Sequence, residues 1–300
     1  MDDHIVHACI QYTDWSLYIG NLVEEVICLA MEGAVISPSL LADCHSTLAN
    51  MYLRCSKLDK AEKSFQHAVE LHKQAHDILG VANDVQRLGD VHLRRDKLDE
   101  AQACFESAVE LHRQVDNIIG EADDVQRLGD VHLRRNELKK AQACFKHAIE
   151  LHQQACSVFG EAHDIQKLGE AHLRQGNLDE AQASFEHAIK LHRQVHDVLG
   201  EAKDVRQLGD VYLQQKKPNK AQASFEQALE LYQEIHSVLG EANSFQRLGN
   251  LHLQNNNLKE AELCLTHALY LHQQSQAARH QAIDLRLLEQ LSVCKKQSQT

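Results

Sequence analysis

Proline is almost missing from this chain, with only Pro38 and Pro218 in 300 residues, and aromatic side chains make up only 5% of it. A β-sandwich needs many turn residues and strand-favouring side chains, so this scarcity points to the all-α class. Cations are in deficit: 31 Lys and Arg stand against 43 Asp and Glu, a formal charge of −12. Nucleic-acid binding draws its affinity from clustered Lys and Arg on phosphates, and this balance argues against it. The most apolar early stretch, Leu22 to Ile36, carries Glu24, Glu25 and Glu32, and Met1-Asp2-Asp3-His4 lacks the basic-then-apolar order of a signal peptide. Neither a membrane span nor secretion is expected. The nine cysteines form no CxxC pair, and Cys104 and Cys144 hold a position that Ser64, Ser184 and Ser224 hold elsewhere. Such an exchange reads as small-residue packing by free thiols in a reducing compartment, the cytoplasm or nucleus.

What is present is a chain with 43% hydrophobic residues, enough for a large core, and a repeat of 40 residues without insertion. Leu-Gly recurs at Leu88-Gly89, Leu128-Gly129, Leu168-Gly169, Leu208-Gly209 and Leu248-Gly249. Ala61, Ala101, Ala141, Ala181, Ala221 and Ala261 keep the same spacing, followed four residues later by Phe65, Phe105, Phe145, Phe185, Phe225 and Leu265, and then by Ala68 through Ala268.

The order L-G-x-x-(Tyr or His) followed by A-x-x-x-F-x-x-A resembles the tetratricopeptide repeat, with Tyr52 and Tyr212 keeping the family's Tyr and His92, His132, His172 and His252 replacing it. The family's early Trp is replaced by Val85, Val125, Ile165, Val205 and Phe245, and its late Pro is missing. The 40-residue period and its Gly-acid-Ala junction resemble the subclass found in Pins/LGN-type adaptor proteins. Copies 81–120 and 121–160 agree at most positions, and such uniform arrays also resemble the sensor regions of nucleotide-binding signalling ATPases. The resemblance implies a right-handed α-solenoid of tandem helical hairpins. It divides the chain into an N-terminal helical cap (1–40), six repeats (41–281) and a C-terminal capping helix and tail (282–300).

Within a copy, helical spacing predicts a first helix over Asn83 to Arg94, with Val85, Leu88, Gly89, Val91, His92 and Leu93 on one side and Asn83, Gln86, Arg87, Asp90 and Arg94 on the wet one. A second helix runs from about Leu98 to Val115, and Gly89 lets the two approach closely. Ser56, Asp96, Asn136, Gly176, Lys216 and Asn256 fall between the helices and tolerate left-handed backbone. Gly80, Gly120, Gly160, Gly200 and Gly240 suit the position just after the second helix. Ser37-Pro38 reads as an N-cap and first-turn proline, and Ala277 to Val293 as a cap helix. Residues 1–36 do not match the repeat and read as one or two helices covering its first copy.

Twenty-one histidines invite a search for metal or acid-base chemistry. Most recur in register, as in His72, His112, His152, His192 and His272, which marks them as parts of the repeat. His72 with His76, and His192 with His196, have the spacing that puts two rings on one helical face, but other copies do not keep the pair and no zinc-protease Glu follows the first His. No glycine-rich phosphate loop or G-x-S-x-G element occurs, so no catalytic, cofactor or metal site is expected and the chain reads as a non-enzyme.

The wet face of the first helices is the candidate binding surface, since the resemblance places those helices on the concave side. Its central position holds Asn50, Asp90, Asp130, Glu170, Asp210 and Asn250. Four residues on stand Arg54, Arg94, Arg134 and Arg174, three before stand Arg87, Arg127, Lys167 and Arg247, and Arg206 precedes Asp210. Asp90 with Arg94, Asp130 with Arg134 and Glu170 with Arg174 have intrahelical ion-pair spacing, worth about 0.2–0.5 kcal/mol each. Energies that small leave the groups open to a ligand. The expected partner is a protein or peptide with an acidic or mixed-charge segment, held by a cytoplasmic adaptor that binds neither nucleic acid nor membrane; a sensor arm of a signalling ATPase is the alternative.

Overall fold

The computed structural model describes residues 37–297 together with Val23. The N-terminal cap expected over 1–36 lies outside the described residues. Among them there are thirteen helices and no strand: α1 (Pro38–Arg54), α2 (Leu58–Gln74), α3 (Ile78–Arg94), α4 (Leu98–Gln114), α5 (Ile118–Arg134), α6 (Leu138–Gln154), α7 (Val158–Gln175), α8 (Leu178–Gln194), α9 (Val198–Gln214), α10 (Pro218–Glu234), α11 (Val238–Gln254), α12 (Leu258–Gln274) and α13 (Ala278–Gln297). The chain forms two compact units, Met1–Ala155 and Cys156–Thr300. The first holds hairpins α1-α2, α3-α4 and α5-α6; the second holds α7-α8, α9-α10 and α11-α12, followed by α13.

Five hairpins are each built around one buried phenylalanine and small residues, and in α11-α12 buried Leu265 takes its place. Ala101, Phe105 and Ala108 are fully buried, as are Ala181, Phe185 and Ala188. The glycine of the Leu-Gly pair makes room for that ring: a Cβ on Gly89 would lie 2.5 Å from Phe105 Cε1, and one on Gly209 2.5 Å from Phe225 Cε1. Alanine and phenylalanine thus interlock with a helix that has no side chain at the crossing.

The turns within hairpins follow the sequence reading. Ser56, Asp96, Asn136, Lys216 and Asn256 have φ of 56–60° and Gly176 has φ 84°. The Lys57 N–H reaches back to Tyr52 O at 2.8 Å and the Ser56 N–H to Leu53 O at 3.2 Å, which satisfies the end of α1. Ser37 caps α1 by accepting from the Leu40 N–H, with Pro38 in its first turn.

Between hairpins the structure corrects the sequence reading. The first helices begin five residues earlier than expected, at Ile78 rather than Asn83, because Asp77, Asn117, Ser157, Asp197 and Ser237 cap them by accepting from Gly80, Gly120, Gly160, Gly200 and Gly240 N–H. Those glycines are therefore the third residue of the first helix, not the end of the second. The left-handed position falls instead on His76, Asp116, Cys156, His196, His236 and Gln276, at φ 52–56°. The junction glycines answer a packing demand, since a Cβ on Gly120 would meet His112 Cδ2 at 2.6 Å.

Helix α13 keeps the register of a first helix, burying Asp284 and Leu291. Glu289 stands where five of the first helices have the Leu-Gly glycine and α1 has Ala49. The long Glu289 side chain occupies the space through which the glycine admits a second helix in five of the hairpins.

Candidate protein-binding surface

In the first unit Arg127 joins the central residues of α3 and α5, while that of α1 bonds within its own helix. Asn50 donates to Ser46 O at 2.9 Å. Asp90 takes Arg87 at 3.2 Å from its own helix and Arg127 at 3.4 Å from α5, and Arg127 also lies 3.7 Å from Asp130. Arg94, expected to pair with Asp90, instead donates to Leu53 O at 2.9 Å, and Arg134 donates to Leu93 O at 2.7 Å. Both bind the open carbonyl end of the preceding first helix, where a cation meets the negative end of the helix dipole. Sequence spacing within one helix cannot reveal a contact with the preceding repeat. Arg54 is exposed at the end of α1.

In the second unit the expected residues converge on a cavity of about 380 Å³. Glu170, Leu173 and Arg174 of α7, Gln207, Asp210, Leu213 and Gln214 of α9, and Arg247 of α11 line it. Arg174 reaches Glu170 at 2.5 Å, as the spacing predicts. Asp210 lies 3.3 Å from Arg247 and 3.8 Å from Arg206; burial pushes its carboxyl above the usual range, and the two guanidinium groups oppose the shift. The walls combine apolar Leu173 and Leu213, amides Gln207 and Gln214, and charges of both signs. Such a cavity can hold one side chain of an extended segment by stem contact and a charged tip. The sequence reading missed the two leucines, although each follows a predicted acid by three residues. Lys167 and Asn250 are half-buried on the same helices, outside the cavity lining. Arg206 turns instead toward Tyr232 of α10.

Beneath the surface runs a polar ladder that the sequence reading overlooked. Each buried second-helix histidine is followed twelve residues later by a buried aspartate: His72 and Asp84, His112 and Asp124, His192 and Asp204, His272 and Asp284. His152 and Asp164 keep the same register. His112 Nδ1 meets Asp124 at 2.7 Å and His272 Nδ1 meets Asp284 at 2.5 Å. A third residue completes each rung: Ser46 donates to Asp84 at 2.7 Å and Gln246 to Asp284 at 2.6 Å. In one copy all three change together, to Arg206, Tyr232 and Ser244, and Arg206 hydrogen-bonds Tyr232. The joint exchange was the legible signal, and it explains why Arg206 turns inward. Burial raises the carboxyl of Asp84 to about 6, and it also pushes that of Asp124 upward.

The ladder also decides the histidine pairs weighed as metal ligands. His72 and His192 are buried against their aspartates, while His76 and His196 lie beyond the helix ends with left-handed backbone. The i,i+4 geometry on one helical face is not formed. Cys104 and Cys144 are free thiols pushed up by burial, Cys104 to about 11, which suits packing rather than nucleophilic attack.

The geometry defines a tandem helical-hairpin protein that presents polar first-helix faces. The tetratricopeptide repeat model matches residues 40–114, 78–154, 161–234 and 204–274, and the chain belongs to the tetratricopeptide repeat family. Similar solved structures share the fold at low identity. BtubC (BKLC) from P. vanneervenii has a TM-score of 0.63 and 19% identity, over 74% of this chain and 91% of that one. A Rap protein complexed with competence and sporulation factor has a TM-score of 0.64 and 14% identity, over 92% and 80%. A signal transduction ATPase with a tetratricopeptide repeat sensor from Pyrococcus horikoshii has a TM-score of 0.70 and 14% identity, over 88% of this chain but 42% of that one. No curated protein matches the chain. Among the described residues no helix is long and apolar enough to cross a membrane.

Proposed function

We propose that the chain is a cytoplasmic adaptor without enzymatic activity, whose first-helix faces bind an extended protein segment of acidic or mixed charge. The cavity between α7, α9 and α11 carries this reading, because Glu170, Arg174, Asp210 and Arg247 meet there around an apolar wall. At the wet-face repeat positions of the first unit, Arg54, Arg87, Arg94, Arg127 and Arg134 stand with only Asp90 and Asp130, although α1, α3 and α5 carry Asp43, Asp84, Glu121, Asp123 and Asp124 at other positions. A local cationic row on an acidic molecule favours an acidic partner by steering and by charge-assisted hydrogen bonds of about 1.5–3 kcal/mol each when desolvated. In this reading residues 1–40 cover the first hairpin, 41–281 carry the recognition surface and 282–300 close it. The 40-residue register supports a likeness to the Pins/LGN-type arrays in this reading.

The test is site-specific photo-crosslinking. A benzoylphenylalanine at Gln207 or Gln214 is expected to capture a protein whose recovery falls tenfold or more in an Arg174→Gln/Arg247→Gln variant. The same label at Gln222, on the outer face of α10, should not capture it. Equal capture from both faces, or recovery unaffected by the arginine changes, overturns the assignment. A second reading, the detached sensor arm of a signalling ATPase, is supported by the uniform repeats and by the fold shared with the P. horikoshii sensor. Co-purification with a nucleotide-binding chain, or a longer transcript carrying a phosphate loop, distinguishes it from a free adaptor.

A further inference from the structure

The rungs of the buried ladder serve as controls for one another, and the His192 rung combines two departures: a turned ring, which the His72 rung shares with Nδ1 3.1 Å from Asp77 and Nε2 3.5 Å from Asp84, and a histidine at the asparagine position. At His112 and His272 both ring nitrogens have acceptors: Nδ1 meets the aspartate, and Nε2 meets Asn83 Oδ1 at 3.2 Å or Asn243 Oδ1 at 3.3 Å. In the α7-α8-α9 rung the asparagine position is His163, whose ring lies edge-on to His192 with centroids 5.3 Å apart. His192 is fully buried, and neither of its ring nitrogens has a hydrogen-bond partner. The ring is also turned: Nδ1 faces Asp197 at 3.5 Å and Nε2 faces Asp204 at 3.7 Å. Asp204 is fully buried as well; Gln166 donates to its Oδ1, while Oδ2 has no partner.

A shared proton is what makes such a rung hold. With the proton between Asp204 Oδ2 and His192 Nε2, one atom donates to the other and Nδ1–H points at Asp197. Without it, the neutral ring has a single N–H for two carboxylates, and either Nε2 or Nδ1 turns a lone pair toward an aspartate, at 3.7 Å from Asp204 or 3.5 Å from Asp197. We propose that His192, Asp204 and His163 form a proton-held latch between α7, α8 and α9, which clamps the three helices while protonated and releases them in mildly alkaline solution. Gln166 and Asp204 lie about one helical turn before Glu170 and Gln207, so the latch sits directly beneath the cavity wall.

The local electrostatics agree. Burial drives the Asp204 carboxyl up to about 8, opposed by the Gln166 hydrogen bond, and pushes the His192 and His163 rings down. The charged and titratable groups facing the latch are His163 and Lys167 of α7, Asp197, Glu201 and Lys203 at the start of α9, and Tyr232 of α10. The raised carboxyl contributes stability that is full below about pH 4, the value of a solvated Asp, and is lost as pH rises through about 8. The lowered His192 contributes stability that is lost as pH falls below about 6.5. Below 6.5 the two slopes oppose each other. Between about 6.5 and 8 the closed latch holds one proton more than the open one, and opening is expected to grow about tenfold per pH unit, roughly 30-fold in all.

The bearing of the latch on a bound segment rests on the function proposed above. Hydrogen exchange on the full chain without any ligand therefore reads the latch separately from that function. Exchange of segments 160–175 and 198–214, corrected for its intrinsic pH dependence, is expected to accelerate about 30-fold between pH 6.5 and 8, while 118–134 stays flat. Asp204→Asn keeps a donor facing Nε2 and should remove the step. His163→Asn supplies the amide oxygen that Asn243 gives His272 and should move the step to higher pH. A flat profile in the wild type, an equal step in 118–134, or a step unchanged in both variants overturns the latch.

Discussion

The ladder makes a quantitative prediction about which residues must change together. Asp124→Ser removes the acceptor of His112 Nδ1 at 2.7 Å and leaves a fully buried ring nitrogen and the Gln86 amide without a partner. Leaving a buried polar group unsatisfied costs about 1–3 kcal/mol, so this single change should lower stability by about that amount. His112→Tyr alone, which removes the hydrogen-bond partner of buried Asp124, should cost a similar amount. The double change recreates the Tyr232 and Ser244 rung of the same chain, where the ring is 3% exposed and Gly240 provides the same space that Gly120 provides for His112. It should therefore cost less than the sum of the singles by about 2 kcal/mol or more, and adding Gln86→Arg, the counterpart of Arg206, should recover more. Urea unfolding followed by far-UV circular dichroism measures the cycle, with unchanged m-values as the check that its four proteins unfold alike. Additivity of the two singles within about 0.5 kcal/mol would refute the matched-set reasoning.

Other consequences are more local. Gly120→Ala gains about 1 kcal/mol of helix propensity but drives a methyl group to 2.6 Å from His112, and overpacking of about 1–3 kcal/mol should leave a net fall in melting temperature; a rise would show that the junction is loose. Arg94→Gln and Arg134→Gln should each lower stability by about 0.5–1.5 kcal/mol through loss of the bonds to Leu53 O and Leu93 O, and a thermal melt that does not move would place both side chains in solvent. Deleting 278–300 should uncover the last hairpin, lower the melting temperature and promote aggregation seen by light scattering, whereas an unchanged melt would show that α13 caps nothing.

Much of the fold was legible because a 40-residue repeat states each packing demand several times. Gly89 and Phe105 recur in register, and their close approach follows from small and large residues at helical spacing. The junction was misread because glycine at a helix end usually signals left-handed backbone. Here His76, Asp116 and their counterparts carry that conformation, and the glycines answer a neighbouring ring. The site was legible in part. Glu170, Arg174, Asp210 and Arg247 were identified by periodicity and do meet, but Arg94 and Arg134 contact carbonyls of the preceding hairpin, which no within-helix spacing encodes. The ladder went unseen because histidine was weighed against metal and solvent rather than against an aspartate twelve residues away. The joint change to Tyr232, Ser244 and Arg206 carried that information.

Selection of random dodecapeptides on the immobilised full chain tests the central claim most directly. If the first-helix faces hold an acidic segment, the selected sequences should be enriched in Asp and Glu. Fluorescein-labelled versions should lose affinity tenfold or more on Arg174→Gln/Arg247→Gln, an arginine pair whose thermal melt stays within a few degrees of wild type. Selected peptides without acidic enrichment, or acidic peptides that bind both proteins equally, would contradict it.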